Sequence, residues 1–103
     1  MKYTQASTPQ NTYQPSGGIL QIYWDEQEKH REQPDGSTDT YYQYRICTVP
    51  VTSNRAQIIE AIMATEYTTG AEFAAINNGG EDYQVYLAFR VTAKALADGW
   101  LDG

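Results

Sequence analysis

The 103 residues carry seven basic and thirteen acidic side chains, a formal net charge of -6, with a single cysteine and a single histidine. That length suits one domain able to bury a modest core without metal or disulfide support. The charge argues against gripping a nucleic-acid backbone or an anionic membrane surface, and the lone Cys47 excludes an internal disulfide and a paired-cysteine site.

Residues 1–18 are rich in Gln, Thr, Ser, Pro and Gly. Pro9, Pro15 and Gly17-Gly18 interrupt any regular element, so a flexible or extended N-terminal arm is expected. Tyr3 and Tyr13 are its large aromatic side chains, available to dock on a neighbouring subunit. The arm has no apolar signal-peptide core and the chain no run of 18 apolar residues, so a cytoplasmic or virion-associated product is expected.

Residues 19–103 read as one α+β domain. Ile19–Glu26 alternates, with Leu20, Ile22 and Trp24 on one side and Gln21, Tyr23 and Asp25 on the other. Such alternation marks a strand with one apolar face. Thr40–Val49 is a second strand, rich in aromatic and β-branched residues and stopped at Pro50. Between them, Pro34-Asp35-Gly36 signals a turn. A hairpin centred on Asp35 sets Trp24 opposite Ile46 on the core face, and Asp25 opposite Arg45 as an outer ion pair. Its charged tip, around residues 28–38, is expected to project beyond the core or to form a loop.

Ile58, Ile59, Ile62, Met63 and Tyr67 recur at helical spacing, and Thr52 or Ser53 can cap that helix. Thr69-Gly70-Ala71-Glu72 fits a capping box for a second helix with Phe73 and Ile76 as its apolar edge. Asn77-Asn78-Gly79-Gly80 ends it, since Asn and Gly tolerate the left-handed conformation. Glu81–Ala97 is readable two ways. Tyr83, Val85, Leu87, Phe89 and Val91 alternate, which would make residues 82–91 a third strand. Val85, Phe89, Ala93, Leu96 and Trp100 follow helical spacing, and a single helix stopped by Gly99 is preferred. The expected architecture is a long antiparallel hairpin followed by three helices on one face, in the order β-β-α-α-α.

No catalytic set emerges. His30 lies in a charged run, with no second histidine for an ordinary zinc site and no apolar wall for a triad. Asp25, Glu26, Glu28 and Glu32 cluster without a visible cleft to separate their pKa values. The Asp35–Asp39 run lacks the calcium-loop pattern, and Gly79-Gly80 has no phosphate-loop lysine. No metal, cofactor or enzymatic role is therefore expected.

Nine tyrosines stand against two tryptophans and two phenylalanines. With Tyr42 and Tyr44 on the side of Ile46 and facing the helices, the other side of the sheet presents Tyr23, Tyr41, Gln43 and Arg45. Tyrosine combines apolar area with a polar tip, which suits a protein partner, self-association or a glycan. The competing reading makes these rings sheet decoration partly shielded by the arm.

Ile58-Ile59-Glu60-Ala61-Ile62, Tyr67-Thr68 and Glu72-Phe73-Ala74-Ala75-Ile76-Asn77-Asn78 precede a Tyr-containing segment with Arg90 and Lys94. On these motifs the run from Tyr41 to Ala97 resembles small uncharacterised proteins of gut Bacteroides phages and prophages. The resemblance implies a phage-derived accessory or structural protein. It transfers no functional residue and leaves the N-terminal arm outside. The expected role is a non-enzymatic interaction or structural protein, a particle or assembly component. The alternative is a small glycan- or ligand-binding module on the tyrosine face.

Overall fold

The long hairpin is the spine of the fold. In a computed structural model describing residues 3–103, β3 (Ile19–Glu32) and β4 (Thr38–Pro50) pair antiparallel along almost their full lengths. At the tip, the Asp35 carboxylate accepts from both the backbone N–H and the hydroxyl of Ser37, and Gly36 takes the positive φ of 88° that the turn demands.

The segment expected as a flexible or extended arm is part of the sheet. Its residues form β1 (Tyr3–Ala6) and β2 (Tyr13–Ser16), which pair with β4 and β3 respectively, giving the order β1-β4-β3-β2. Pro15 is tolerated because β2 is an edge strand, where one side of the backbone has no neighbour to bond. Since β1 and β2 lie on opposite edges, residues 7–12 must cross one face of the central pair. They cross the face away from the helices, where the Gln10 N–H donates to the Tyr44 hydroxyl at 2.8 Å, and then reach the outer edge of β3, where the Thr12 carbonyl accepts from the Tyr23 N–H at 2.7 Å.

The expected register holds only near the tip. From Glu32↔Thr38 to Gln27↔Gln43 the strands pair as a hairpin centred on Asp35. A bulge between Trp24 and Gln27 then shifts the pairing by one residue, so Trp24 faces Arg45 and not Ile46, and Tyr23 faces Ile46. Asp25 takes a left-handed φ of 58° there, which aspartate tolerates better than most side chains. Because side chains alternate, a one-residue slip exchanges the faces. Leu20 and Ile22 now pair with Val49 and Cys47, joining four apolar side chains into one floor for the helices. Tyr44 and Ile46, expected under the helices, are buried on the opposite face.

Among the described residues three helices follow the four strands, so the expected order of strands then helices stands, with the hairpin widened to a four-stranded sheet. Helix α1 (Arg55–Glu66) buries Ile58, Ile59, Ile62 and Met63, as its spacing predicts. Its cap is Asn54, one residue beyond the expected pair. Asn54 and Gln57 bond reciprocally, while Ser53 is buried beneath them. Helix α2 (Thr69–Asn78) is capped by Thr68, whose hydroxyl accepts from the Ala71 N–H, so the expected Thr69 box shifts by one position. Gly79 and Gly80, with φ of 62° and 58°, make the turn into α3 (Gly80–Asp102).

Residues 82–91 lie within that single helix, so the strand alternative is set aside. Its buried stripe is Tyr86, Phe89, Ala93 and Ala97, while Val85 is exposed. Ala93 and Ala97, both fully buried, bring the helix backbone close to its neighbours. Gly99 does not stop the helix, which runs on to Asp102. A methyl group at Gly99 would collide with the Tyr13 hydroxyl, so this glycine serves packing and not termination.

The molecule measures 51 × 36 × 20 Å with a radius of gyration of 16.1 Å, against about 13 Å for a compact chain of this length. The far half of the hairpin accounts for the excess. It projects as a two-stranded ribbon past β1 and β2, which pair only with residues 42–45 and 19–22.

Candidate interaction surface

Helix α2 packs mainly on α3 and, of its ten residues, buries only Ala75. A ten-residue helix is too short to persist in water on propensity alone, so it relies on this contact. Ala71, Ala75 and Asn78 recur at helical spacing and turn toward α3. With Tyr67, Ala74, Glu81, Asp82 and Val85 they line a shallow groove of about 370 Å³. The small side chains let α2 lie close to α3 and leave its larger apolar residues pointing outward. Phe73 is 68% exposed and Ile76 47% exposed, and Val85 across the groove is 56% exposed.

Acidic residues predominate in the sequence around this helix. Between Arg55 and Arg90 the sequence contains Glu60, Glu66, Glu72, Glu81 and Asp82 and no lysine or arginine. Arg90 reaches Glu60 at 3.6 Å, and Arg45 lies 4.0 Å from Glu66. Glu72, Glu81 and Asp82 make no ion pair among the described residues. Glu81 and Asp82 occupy the first turn of α3, where the helix dipole favours negative charge. Tyr86 stands behind them with its pKa raised, chiefly by burial and next by the Glu72 carboxylate. Tyr67 and Tyr86 meet edge to face at 5.2 Å and close the floor of this corner.

The four residues expected to share a tyrosine face do not form one surface. Tyr23 lies on the side away from the helices, its ring 5.7 Å from that of Tyr44, beneath the crossing segment. Tyr41, Gln43 and Arg45 alternate onto the helix side of β4. Arg45 sits over the Phe89 ring at 6.0 Å and 2.9 Å from Asp25, so the expected Asp25–Arg45 pair forms, but against α3 and not outside. Tyr41 is on the projecting ribbon, where the Arg31 guanidinium covers its ring at 4.6 Å. A sugar stacking on that side of the ring would have to displace Arg31. Gln43 pairs with Gln5 of β1.

Tyr44 is 2% exposed, its hydroxyl accepting from Gln10 and donating to Glu26. Burial first, and the Glu26 carboxylate second, hold its pKa above the ordinary tyrosine value. The chain therefore spends this ring on fastening the crossing segment. What sequence reasoning missed is that Phe73 and Ile76 face water. The available signal was the alanine set at 71, 74 and 75, which supplies a closer-packing face than the one carrying the bulky residues.

Comparison with protein families, curated proteins and solved structures gives no match. No helix among the described residues is long and apolar enough to cross a membrane. Among them, no group of three or more His, Cys, Asp or Glu side chains converges as a metal site would require.

Proposed function

We propose that this chain is a non-enzymatic interaction protein whose helix α2 engages a protein partner. The supporting observation is the outward projection of Phe73 and Ile76 from a helix that buries one residue of ten. Burying an exposed phenylalanine or isoleucine yields roughly 1.5–3 kcal/mol before ordering costs, so these two residues can anchor a partner. The projecting ribbon adds reach, and its charged side chains discourage unspecific strand pairing along its edges. The phage resemblance implies a phage-derived accessory or structural protein, for which a particle or assembly component is one such role.

The glycan-binding alternative loses its intended platform, because Tyr23 and Tyr41 lie on different faces of the sheet. The test is co-purification of the wild-type chain and of the F73S/I76S variant from the source cell, followed by reconstitution with the purified candidate partner. The reading requires a partner that binds the wild type directly and loses at least tenfold in affinity for the variant. Equal binding by both proteins refutes α2 as the interaction surface. A monomer at millimolar concentration that recovers no direct binder refutes the interaction role.

A further inference from the structure

Where β3 bulges beside α3, Trp24, Asp25, Arg45, Phe89 and Thr92 line a pocket of about 380 Å³. That volume lies within the range of small-molecule sites. We propose that this pocket binds a small uncharged molecule carrying an amide group on a flat apolar ring. Trp24 is 9% exposed, and among the described residues no group accepts from its indole N–H. A buried donor without an acceptor is costly, and native structures carry few of them. Next to it Asp25 holds its left-handed φ of 58°. Bulges and strained backbone of this kind gather at binding sites. The pocket uses no residue of α2, so this proposal and the reading of α2 stand or fall separately.

The lining selects the chemistry of the ligand. Trp24 supplies a donor, Asp25 an acceptor and Phe89 an apolar ring. A primary amide answers the first two with one group, its carbonyl accepting from Trp24 Nε1 and its N–H donating to the Asp25 carboxylate. The ring that carries the amide then packs on Phe89. Charge disfavours an anion. Arg45 is flanked by Asp25 at 2.9 Å and Glu66 at 4.0 Å, so an incoming carboxylate meets two negative groups against one positive.

Arg45 controls entry. The Trp24 Nε1 atom lies beneath the pocket surface, and Arg45 faces Trp24 across the two strands with its guanidinium 6.0 Å above the Phe89 ring. The Arg45 Nε approaches the Asp25 carboxylate without the alignment of a hydrogen bond. A partly exposed ion pair of this sort holds a side chain weakly, so the guanidinium can turn outward toward Glu66. That movement uncovers Phe89 and frees the Asp25 carboxylate for the ligand.

The experiment is a titration of the nitrogen-15-labelled chain with benzamide, with benzoate and acetophenone as controls. The W24F variant assigns the two indole N–H resonances. The proposal requires a saturable downfield shift of the Trp24 indole resonance with benzamide, an unmoved Trp100, and amide shifts centred on Asp25, Arg45 and Phe89. Benzoate, which adds charge, and acetophenone, which lacks the N–H, should bind at least tenfold more weakly. R45A should tighten benzamide binding at least threefold, because the group that must move is gone. W24F keeps a ring and removes the donor, and should lose at least tenfold. Should W24F unfold, T92F obstructs the pocket from an exposed position of α3 and should lose as much.

A Trp24 resonance that benzamide leaves in place overturns the proposal, whether the N–H is then free or already bonded to water. Equal binding of benzamide and acetophenone overturns it by showing an apolar cleft without polar recognition. Weaker binding by R45A overturns the entry role of Arg45 and with it the proposed pose.

Discussion

The Tyr13 hydroxyl donates to the Leu96 carbonyl at 2.6 Å, joining the second strand to the last helix across 83 residues. The ring lies 5.8 Å from Trp100 and fills the space that Gly99 leaves open. An N-terminal segment whose composition reads as loose chain is thus tied to the C-terminal helix by one aromatic side chain.

Gly99→Ala is expected to destabilise the protein by about 1–3 kcal/mol, the usual cost of overpacking. Helix propensity alone predicts the opposite sign, since alanine is favoured over glycine by about 1 kcal/mol inside a helix. The two effects separate in a Tyr13→Ala background, where the collision is gone and Gly99→Ala should stabilise. Urea unfolding of the four proteins checks this. Stabilisation by Gly99→Ala in the wild-type background would show that Tyr13 does not occupy this position.

Tyr44→Phe removes the acceptor for Gln10 and the donor to Glu26 while keeping the ring. The expected loss is about 1–2 kcal/mol, because Glu26 can return to water while the Gln10 N–H loses a partly buried partner. Amide exchange at Gln10 should accelerate more than exchange in α1. An unchanged rate there would mean that residues 7–12 do not cross over Tyr44.

Asp25 is the hinge of the register shift. Asp25→Gly should remain within about 1 kcal/mol of wild type, since glycine accepts the left-handed backbone but forgoes the contact with Arg45. Asp25→Val should cost about 1–3 kcal/mol, because a β-branched side chain is strained at positive φ. Thermal unfolding of the pair reads the difference. Equal stability of the two variants would contradict a left-handed residue at the bulge.

That bulge separates what was readable in the chain from what was not. The apolar spacing of Ile58, Ile59, Ile62 and Met63 determines a buried helical stripe wherever the helix packs, so it was legible. The turn at Asp35 also set the pairing correctly as far as Gln27. Beyond it, joining Leu20 and Ile22 to Val49 and Cys47 required an extra residue in β3, and no local motif at Asp25-Glu26 announces one. The face assignments made for β4 inverted, including those of Tyr44 and Arg45, while those of Leu20, Ile22 and Trp24 on β3 held. Strands β1 and β2 were illegible for another reason. Their pairing is supplied by distant backbone, which leaves no mark in four-residue segments rich in Gln, Thr and Pro. Phe73 and Ile76 were legible as an apolar edge but not as an exposed one, because periodicity identifies a face without saying what covers it.

Cys47 provides a further check on the corrected face. It is 6% exposed, pairs with Ile22 in the floor beneath the helices, and burial pushes its pKa up to about 11. The unfolded thiol ionises near 8.5. Below that value both states are protonated and the stabilisation is fully present. As pH rises toward 11 the unfolded chain releases its proton first, so stability falls and this contribution is lost through the folded pKa. The loss is on the order of 3 kcal/mol. Tyr13, Tyr44, Tyr67 and Tyr86, all shifted upward chiefly by burial, steepen the decline once their unfolded forms ionise. Urea midpoints should therefore fall between pH 8 and pH 10.5, and less steeply in Cys47→Ala. In native buffer at pH 8 a thiol reagent should label Cys47 only as fast as the protein opens, with labelling accelerated by urea. Labelling at the rate of a free thiol would place Cys47 on an open surface and undo the register that the bulge creates.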